Sequence, residues 1–373
     1  MNKKLLMILC FLLVFCILLM PTNAYVLQNR YWEDGKSALQ MGTNVNSSYH
    51  SVIKNAANSW NNASGSSFYF YNNSNTSLAR TVVQMGGMPD PAWLAYESTQ
   101  IVSGNYKRLS CIFFDNSRLW GNTTLLHGPI YYDIETTAIH ELGHAAGLSH
   151  SNSNGAVMYP TTPTVSRVLK ADDILGIKTR YPSSKSSFSL NSYLNSFSND
   201  KVVQLEINPL IESMTEEEME ERADLIVYGI VKEVFPAQWD TPNGSDPSIR
   251  TKNTFSTEGY LLYHDTLIEV EDVYKGDLKS KEIYVRTVGG STDKVKMDND
   301  DSASYHKNEK VILYLFKDNG TRSQNLGPEH YFAYPKQGQL FIKNDKTIVN
   351  GYGNVVNPEK SLFMNEITVI NMD

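Results

Sequence analysis

Apolar residues fall on one helical face between residues 51 and 62, where Val52, Ile53, Ala56 and Trp60 recur at spacings of one, three and four. The pattern predicts a helix over 51–62. The aromatic run Phe68-Tyr69-Phe70-Tyr71 predicts a strand over 66–72, and the apolar stretch 109–115 predicts another. Asp133 is a good N-cap, and Ala138, Leu142 and Ala146 follow it at helical spacing. A second short helix is expected over 170–180, with Ile174 and Leu175 turned inward. Residues 183–199 are rich in Ser and Asn and break the pattern, as a linker does. Thr215 and Glu218 then form a capping-box pair at the head of a short acidic helix anchored by Met219.

Beyond that helix the period shortens to that of strands. Alternating or apolar runs occupy 224–234, 266–274, 282–288, 310–316, 331–334 and 339–342, with Lys275-Gly276-Asp277 and Gly289-Gly290 as breaks. Six or more short strands separated by glycine imply a closed barrel or a sandwich. The chain therefore reads as α+β. Its expected parts are a leader at 1–24, a mixed domain at 25–182, a linker at 183–205 and a mostly β accessory region at 206–373.

The mixed domain carries the candidate chemistry, in His140-Glu141-Leu142-Gly143-His144-Ala145-Ala146-Gly147-Leu148-Ser149-His150. On a helix, His140 and His144 lie one above the other and can share one metal ion. Glu141 stands beside the first ligand, where a carboxylate can take a proton from a metal-bound water. Gly147 permits a sharp turn after the helix, and that turn brings His150 back as a third ligand. Three protein ligands and one water make a catalytic zinc site, because a structural site fills the fourth position. The sequence continues with Gly155-Ala156-Val157-Met158-Tyr159-Pro160.

These residues resemble the metzincin zinc endopeptidases and, through Ser151 and the Ala-Val-Met-Tyr-Pro run, the matrixins. The resemblance extends to Ala57-Asn58-Ser59-Trp60, to Ile112-Phe113-Phe114-Asp115-Asn116 with Trp120, and to Leu169, Asp172, Asp173, Ile174, Gly176, Ile177 and Tyr181. It implies a twisted mixed sheet with three helices around a zinc cleft. It also implies endopeptidase activity through a zinc-activated water, with His140, His144 and His150 as ligands and Glu141 as general base. Met158 would support the metal from below as an apolar floor, and Tyr159 and Pro160 would line the substrate pocket.

Three family features have no counterpart. No cysteine-bearing pro-segment fits between Ala24 and Trp32, and Met88 stands where Gly86-Gly87-Met88-Pro89-Asp90 would need a cysteine. Beyond the three candidate ligands only His50 and His127 lie in this half, so one zinc is expected. Oxygen-rich loops offer donors for calcium, Ca2+, but in no run with a defined ligand spacing.

Residues 1–24 have a basic start, an apolar middle and a small residue at 24, the form of a secretory signal cut after Ala24. The expected location is therefore secreted or cell-surface. Cys10 and Cys16 fall in that leader, which leaves Cys111 as a buried, inert thiol. The net charge is about +1 over 25–182 and about −10 from 183 onward. No basic stripe with interleaved aromatics is present, so nucleic acid is not an expected partner. Protein or peptide substrates are. A second reading remains open, in which the β region is an exported surface-binding module and the peptidase half is degenerate or self-processing.

Overall fold

The computed structural model describes residues 24–72, 80–101, 105–121, 131–161, 165–183, 203–241, 244, 260–317 and 330–356. The first half runs through β1 (Lys36–Met41), α1 (Ser47–Asn61), β2 (Tyr69–Asn72), β3 (Thr81–Gly86), β4 (Trp93–Ile101) and β5 (Lys107–Asp115). A short parallel pair, β6 (Leu119–Gly121) and β7 (Tyr131–Asp133), follows. Then come α2 (Ile134–Ala146) and α3 (Ala171–Arg180). Residues 1–23 of the expected leader and most of the expected linker lie outside the described residues, as does His127.

α1 begins four residues before the apolar pattern does, because Asn46 caps it by accepting the Ser48 N–H at 3.0 Å. Its predicted face, Val52, Ile53, Ala56 and Trp60, is buried. Trp60 Nε1 donates to the Ile139 carbonyl at 2.8 Å and ties α1 to α2. α2 starts where expected, with Asp133 accepting the Thr136 N–H at 2.7 Å. α3 spans the expected residues but corrects one expectation, since Leu175 is exposed and only Asp173, Gly176 and Ile177 are buried. The Asp173 carboxylate accepts the N–H groups of Lys170, Val157 and Met158, which turns its own face inward and rotates Leu175 out.

The second half begins with β8 (Val203–Ile211) and α4 (Glu216–Arg222), whose Thr215–Glu218 capping box forms as predicted and whose Met219 is buried. It continues through β9 (Leu225–Val234), β10 (Gln238–Trp239), β11 (Leu262–Lys275), β12 (Glu282–Val288), β13 (Gly290–Ser291), β14 (Val295–Asn299), β15 (Lys310–Lys317), β16 (His330–Ala333), β17 (Gln339–Ile342) and β18 (Ile348–Asn350). Strands β9, β11, β12, β16 and β15 pair in that order, and β15 returns to β9, so five strands close a small barrel. Leu225, Val227, Val231, Val311, Leu313 and Leu315 fill it. The alternate residues Ile226, Tyr228, Ile312 and Tyr314 face a second core outside the barrel. Two buried faces explain why β9 and β15 read as nearly continuous apolar runs.

The two halves share one sheet. Its order is β13-β14-β8-β4-β5-β3-β1-β2, so β8 and β14 extend the sheet of the first half past β4. The expected border at 205/206 falls inside β8. The helices and one sheet face enclose one core, around Trp60, Leu142 and Met158. On the other face, Trp93, Tyr96 and Phe113 share a core with Leu205, Ile207, Met297, Ile312 and Tyr334.

Candidate metal centre

α2 presents His140 and His144 on one face, both almost fully buried. Gly147 ends the helix in the left-handed region at φ 102°, and a Cβ there would stand 2.8 Å from the Arg30 carbonyl. The turn returns His150 to the other two. The Nε2 atoms of His140 and His144 are 2.9 Å apart, and those of His144 and His150 are 3.2 Å apart.

The opposite ring nitrogens settle which atoms can bind a cation. His140 Nδ1 lies 2.7 Å from the Val157 carbonyl, and His144 Nδ1 lies 2.8 Å from the Leu148 carbonyl. A carbonyl only accepts, so each Nδ1 carries the proton and each Nε2 offers a lone pair. Burial pushes the His140 pKa down to about 3 and depresses His144 strongly, with the neighbouring imidazoles adding to both, so both rings are neutral. Lone pairs converging this closely suit a shared metal ion, and the three imidazoles form a group that could hold one.

Glu141 is fully buried, and neither carboxylate oxygen has a hydrogen-bond partner. Burial, and then the nearby Glu97 and Asp300, raise its pKa well above the usual range. A partnerless buried carboxylate is costly, and it signals a group kept ready for a proton. Met158 packs under the site against Gly143, whose missing side chain leaves room for its sulfur and for Trp60. Ser151 Oγ donates to Asp172 Oδ2 at 2.7 Å and anchors the turn after His150 to α3. Tyr159 and Pro160 follow Met158 beside the site, both half-buried.

Pattern reasoning missed two carboxylates. Asp300 Oδ2 and Asp301 Oδ2, just past β14, lie 3.4 and 3.3 Å from His150 Nδ1. Burial alone would lower the His150 pKa, but these two carboxylates outweigh it and raise the pKa. They approach the nitrogen that faces away from the other histidines and act on the ring as nearby carboxylates. The acidic run Asp298-Asn299-Asp300-Asp301 was visible in the sequence, but nothing local to it pointed at a helix 150 residues away.

A family model described as matrixin matches residues 43–182, which contain all three histidines, Glu141 and Met158. Residues 43–182 form a matrixin domain. Among similar proteins, metalloendoproteinase 4-MMP of Arabidopsis thaliana is 44% identical over 66 residues, which are 17% of this chain and 19% of that protein. Karilysin of Tannerella forsythia is 30% identical over 175 residues, covering 43% of this chain and 35% of karilysin. Human neutrophil collagenase is 39% identical over 71 residues, covering 18% of this chain and 14% of that protein. The chain thus spans about a third or less of the length of these relatives. The matched range ends at residue 182, so β8, β14 and the barrel lie outside the matrixin domain.

His50 caps no cation, since its Nε2 meets the Val45 carbonyl. Cys111 is buried, which pushes its thiol up to about 12 and keeps it unreactive. His264 contacts the Gly289 carbonyl, His306 pairs with Glu309, and His330 stacks on Tyr284.

Proposed function

We propose that the matrixin domain is a zinc-dependent endopeptidase, with His140, His144 and His150 as the metal ligands and Glu141 as the group that moves the proton. The carrying observation is the convergence of three imidazole Nε2 atoms beside a buried, partnerless carboxylate. A zinc ion bound there supplies Lewis acidity, polarising a peptide carbonyl and acidifying a water. Glu141 takes the proton of that water on an Oε and returns it to the departing amine. The Val157 and Leu148 carbonyls hold the two helix imidazoles in the ligating tautomer. Met158 keeps the floor apolar, and Tyr159 with Pro160 borders the position for the residue after the scissile bond.

Protein or peptide substrates follow from this reading, as does export through residues 1–24. Among the described residues no helix is long and apolar enough to cross a membrane. The barrel is assigned an accessory, positioning role, and residues 183–205 the role of the connection to it. The test is the full chain with Glu141→Gln. The variant should bind one zinc per chain, as the parent does, and should lose at least 1000-fold in casein cleavage, roughly the sum of lost acid and base catalysis. A variant that cleaves at the parental rate, or a parent that retains no zinc, overturns the reading.

A further inference from the structure

Among the strands of residues 43–182, β4 is the edge strand, and the histidine helix packs against it. That edge is taken. β8 runs antiparallel along it, pairing Gln100 with Leu205, Ser98 with Ile207, Glu97 with Asn208, Tyr96 with Pro209 and Ala95 with Leu210. On its other side β8 pairs with β14 over residues 203–207, and past β14 its end meets the segment that follows Met158. Ile211 N–H donates to the Pro160 carbonyl at 3.2 Å, and Ile211 forms a parallel bridge with Thr161. The end of β8 is held between these two segments as a bound peptide would lie, through main-chain bonds on both sides.

The side chains of β8 divide accordingly. Ile207 and Ile211 enter the core shared with the barrel. Asn208 points the other way, and its Nδ2 donates to Glu97 Oε2 at 3.0 Å. Glu97 pairs with Lys107, whose Nζ donates to the His144 carbonyl at 2.6 Å, so this face looks toward α2. Leu210, two residues on, shares that face and is 2% exposed. The neighbouring strand fastens the arrangement at the metal centre. Asp300 N–H donates to the Ile207 carbonyl at 3.4 Å, and Ser149 Oγ donates to Asp300 Oδ2 at 3.3 Å. The carboxylates of Asp300 and Asp301 grip His150.

We infer that β8 is the chain's own occupant of the peptide cleft, so that the folded full chain is closed to substrate until β8 and the Asp300–Asp301 corner move away together. The inference rests on the proposed endopeptidase site. The cover comes from behind the domain, since β8 follows residue 182 in the chain. A tethered strand competes with free peptide at an effective concentration of the order of millimolar, which weakens apparent peptide binding without changing the site.

The experiment uses the zinc-loaded full chain carrying Glu141→Gln, so that no turnover occurs. The probe is a fluorescent hexapeptide, Ile-Asn-Pro-Leu-Ile-Glu, the sequence of residues 207–212, read by anisotropy. Leu210→Asp, which places a charge on the buried face of β8, should tighten peptide binding at least tenfold. Adding Gln100→Cys with Leu205→Cys, partners across β4 and β8, should abolish that gain when oxidised and restore it when reduced. Equal binding with and without Leu210→Asp overturns the inference. If that variant does not fold, hydrogen exchange in the unmodified chain decides. Amides of 93–101 should be protected as in an interior strand, and exchange at the rate of an open edge overturns it. With Glu141 restored, Leu210→Asp should also raise casein cleavage. Tight peptide binding with bound zinc and no cleavage refutes the endopeptidase reading alone and leaves the occupied cleft standing.

Discussion

Lys107→Met tests the buried ion pair that joins the sheet to the helix of His140 and His144. Lys107 and Glu97 are both fully buried, with Nζ 3.4 Å from Oε1. Lys107 also donates to Thr99 Oγ1 at 2.9 Å and to the His144 carbonyl at the end of α2. Glu97 further accepts from Ser110 Oγ at 2.5 Å, from Thr99 and from Asn208. Methionine fills the space of the lysine stem but leaves Glu97 as a buried charge without its cation. Removing one partner of such a pair costs about 3–5 kcal/mol, a large part of a stability of about 5–15 kcal/mol. The orphaned His144 carbonyl lies inside the same loss. The measurement is urea unfolding followed by tryptophan fluorescence, for the parent, Lys107→Met, Glu97→Gln and the double variant. Glu97→Gln keeps hydrogen-bonding capacity while removing the charge, so the double variant should be more stable than Lys107→Met alone by at least about 1 kcal/mol. A Lys107→Met cost below about 1 kcal/mol, or a double variant less stable than either single one, refutes the account.

Two further outcomes follow from the same structure. Gly143→Ala would place a Cβ 2.7 Å from Trp60 Cζ2 and against the Met158 sulfur, so it should cost about 1–3 kcal/mol in spite of alanine's better helix propensity, and zinc titration should show weaker retention. Asp90 is buried, and desolvation raises its pKa from 3.8 to about 7, against the smaller opposing effect of the Ala92 N–H. A raised carboxyl pKa favours the protonated folded state, so its stabilisation is fully present below about pH 4 and is lost as pH rises through about 7. The difference is at most about 4 kcal/mol. Asp90→Asn should flatten the unfolding midpoint across pH 4 to 8, and an unchanged profile refutes the assignment.

The sequence alone determined whatever depends on short-range spacing. Helical period and an N-cap at Asp133 placed α2, and the interval of four put two imidazoles on one face. Gly147 supplied the left-handed turn that returns His150. The capping box at Thr215 and the alternating or unbroken apolar runs from 224 onward located most barrel strands, because one buried face imposes a period of two and two buried faces an unbroken run. Strands β1, β3 and β4 escaped notice because they are short, or because buried polar residues such as Glu97 and Thr99 interrupt their apolar pattern. Leu175 was misread because helical spacing cannot show that the Asp173 carboxylate is drawn inward by three backbone N–H groups.

What only the tertiary structure decided is which distant segments meet. β8 lies on the border of a Ser- and Asn-rich stretch, and its sequence Leu205-Glu206-Ile207-Asn208-Pro209-Leu210-Ile211 does not reveal whose edge it will pair with. Backbone hydrogen bonds carry no sequence code, so pairing across about 100 residues is fixed by the two-sided core that β8 completes, not by local propensity. The same holds for Asp300 and Asp301. They reach His150 only because β14 lies beside β8, which lies beside β4, and that order is set by the packing of the whole sheet.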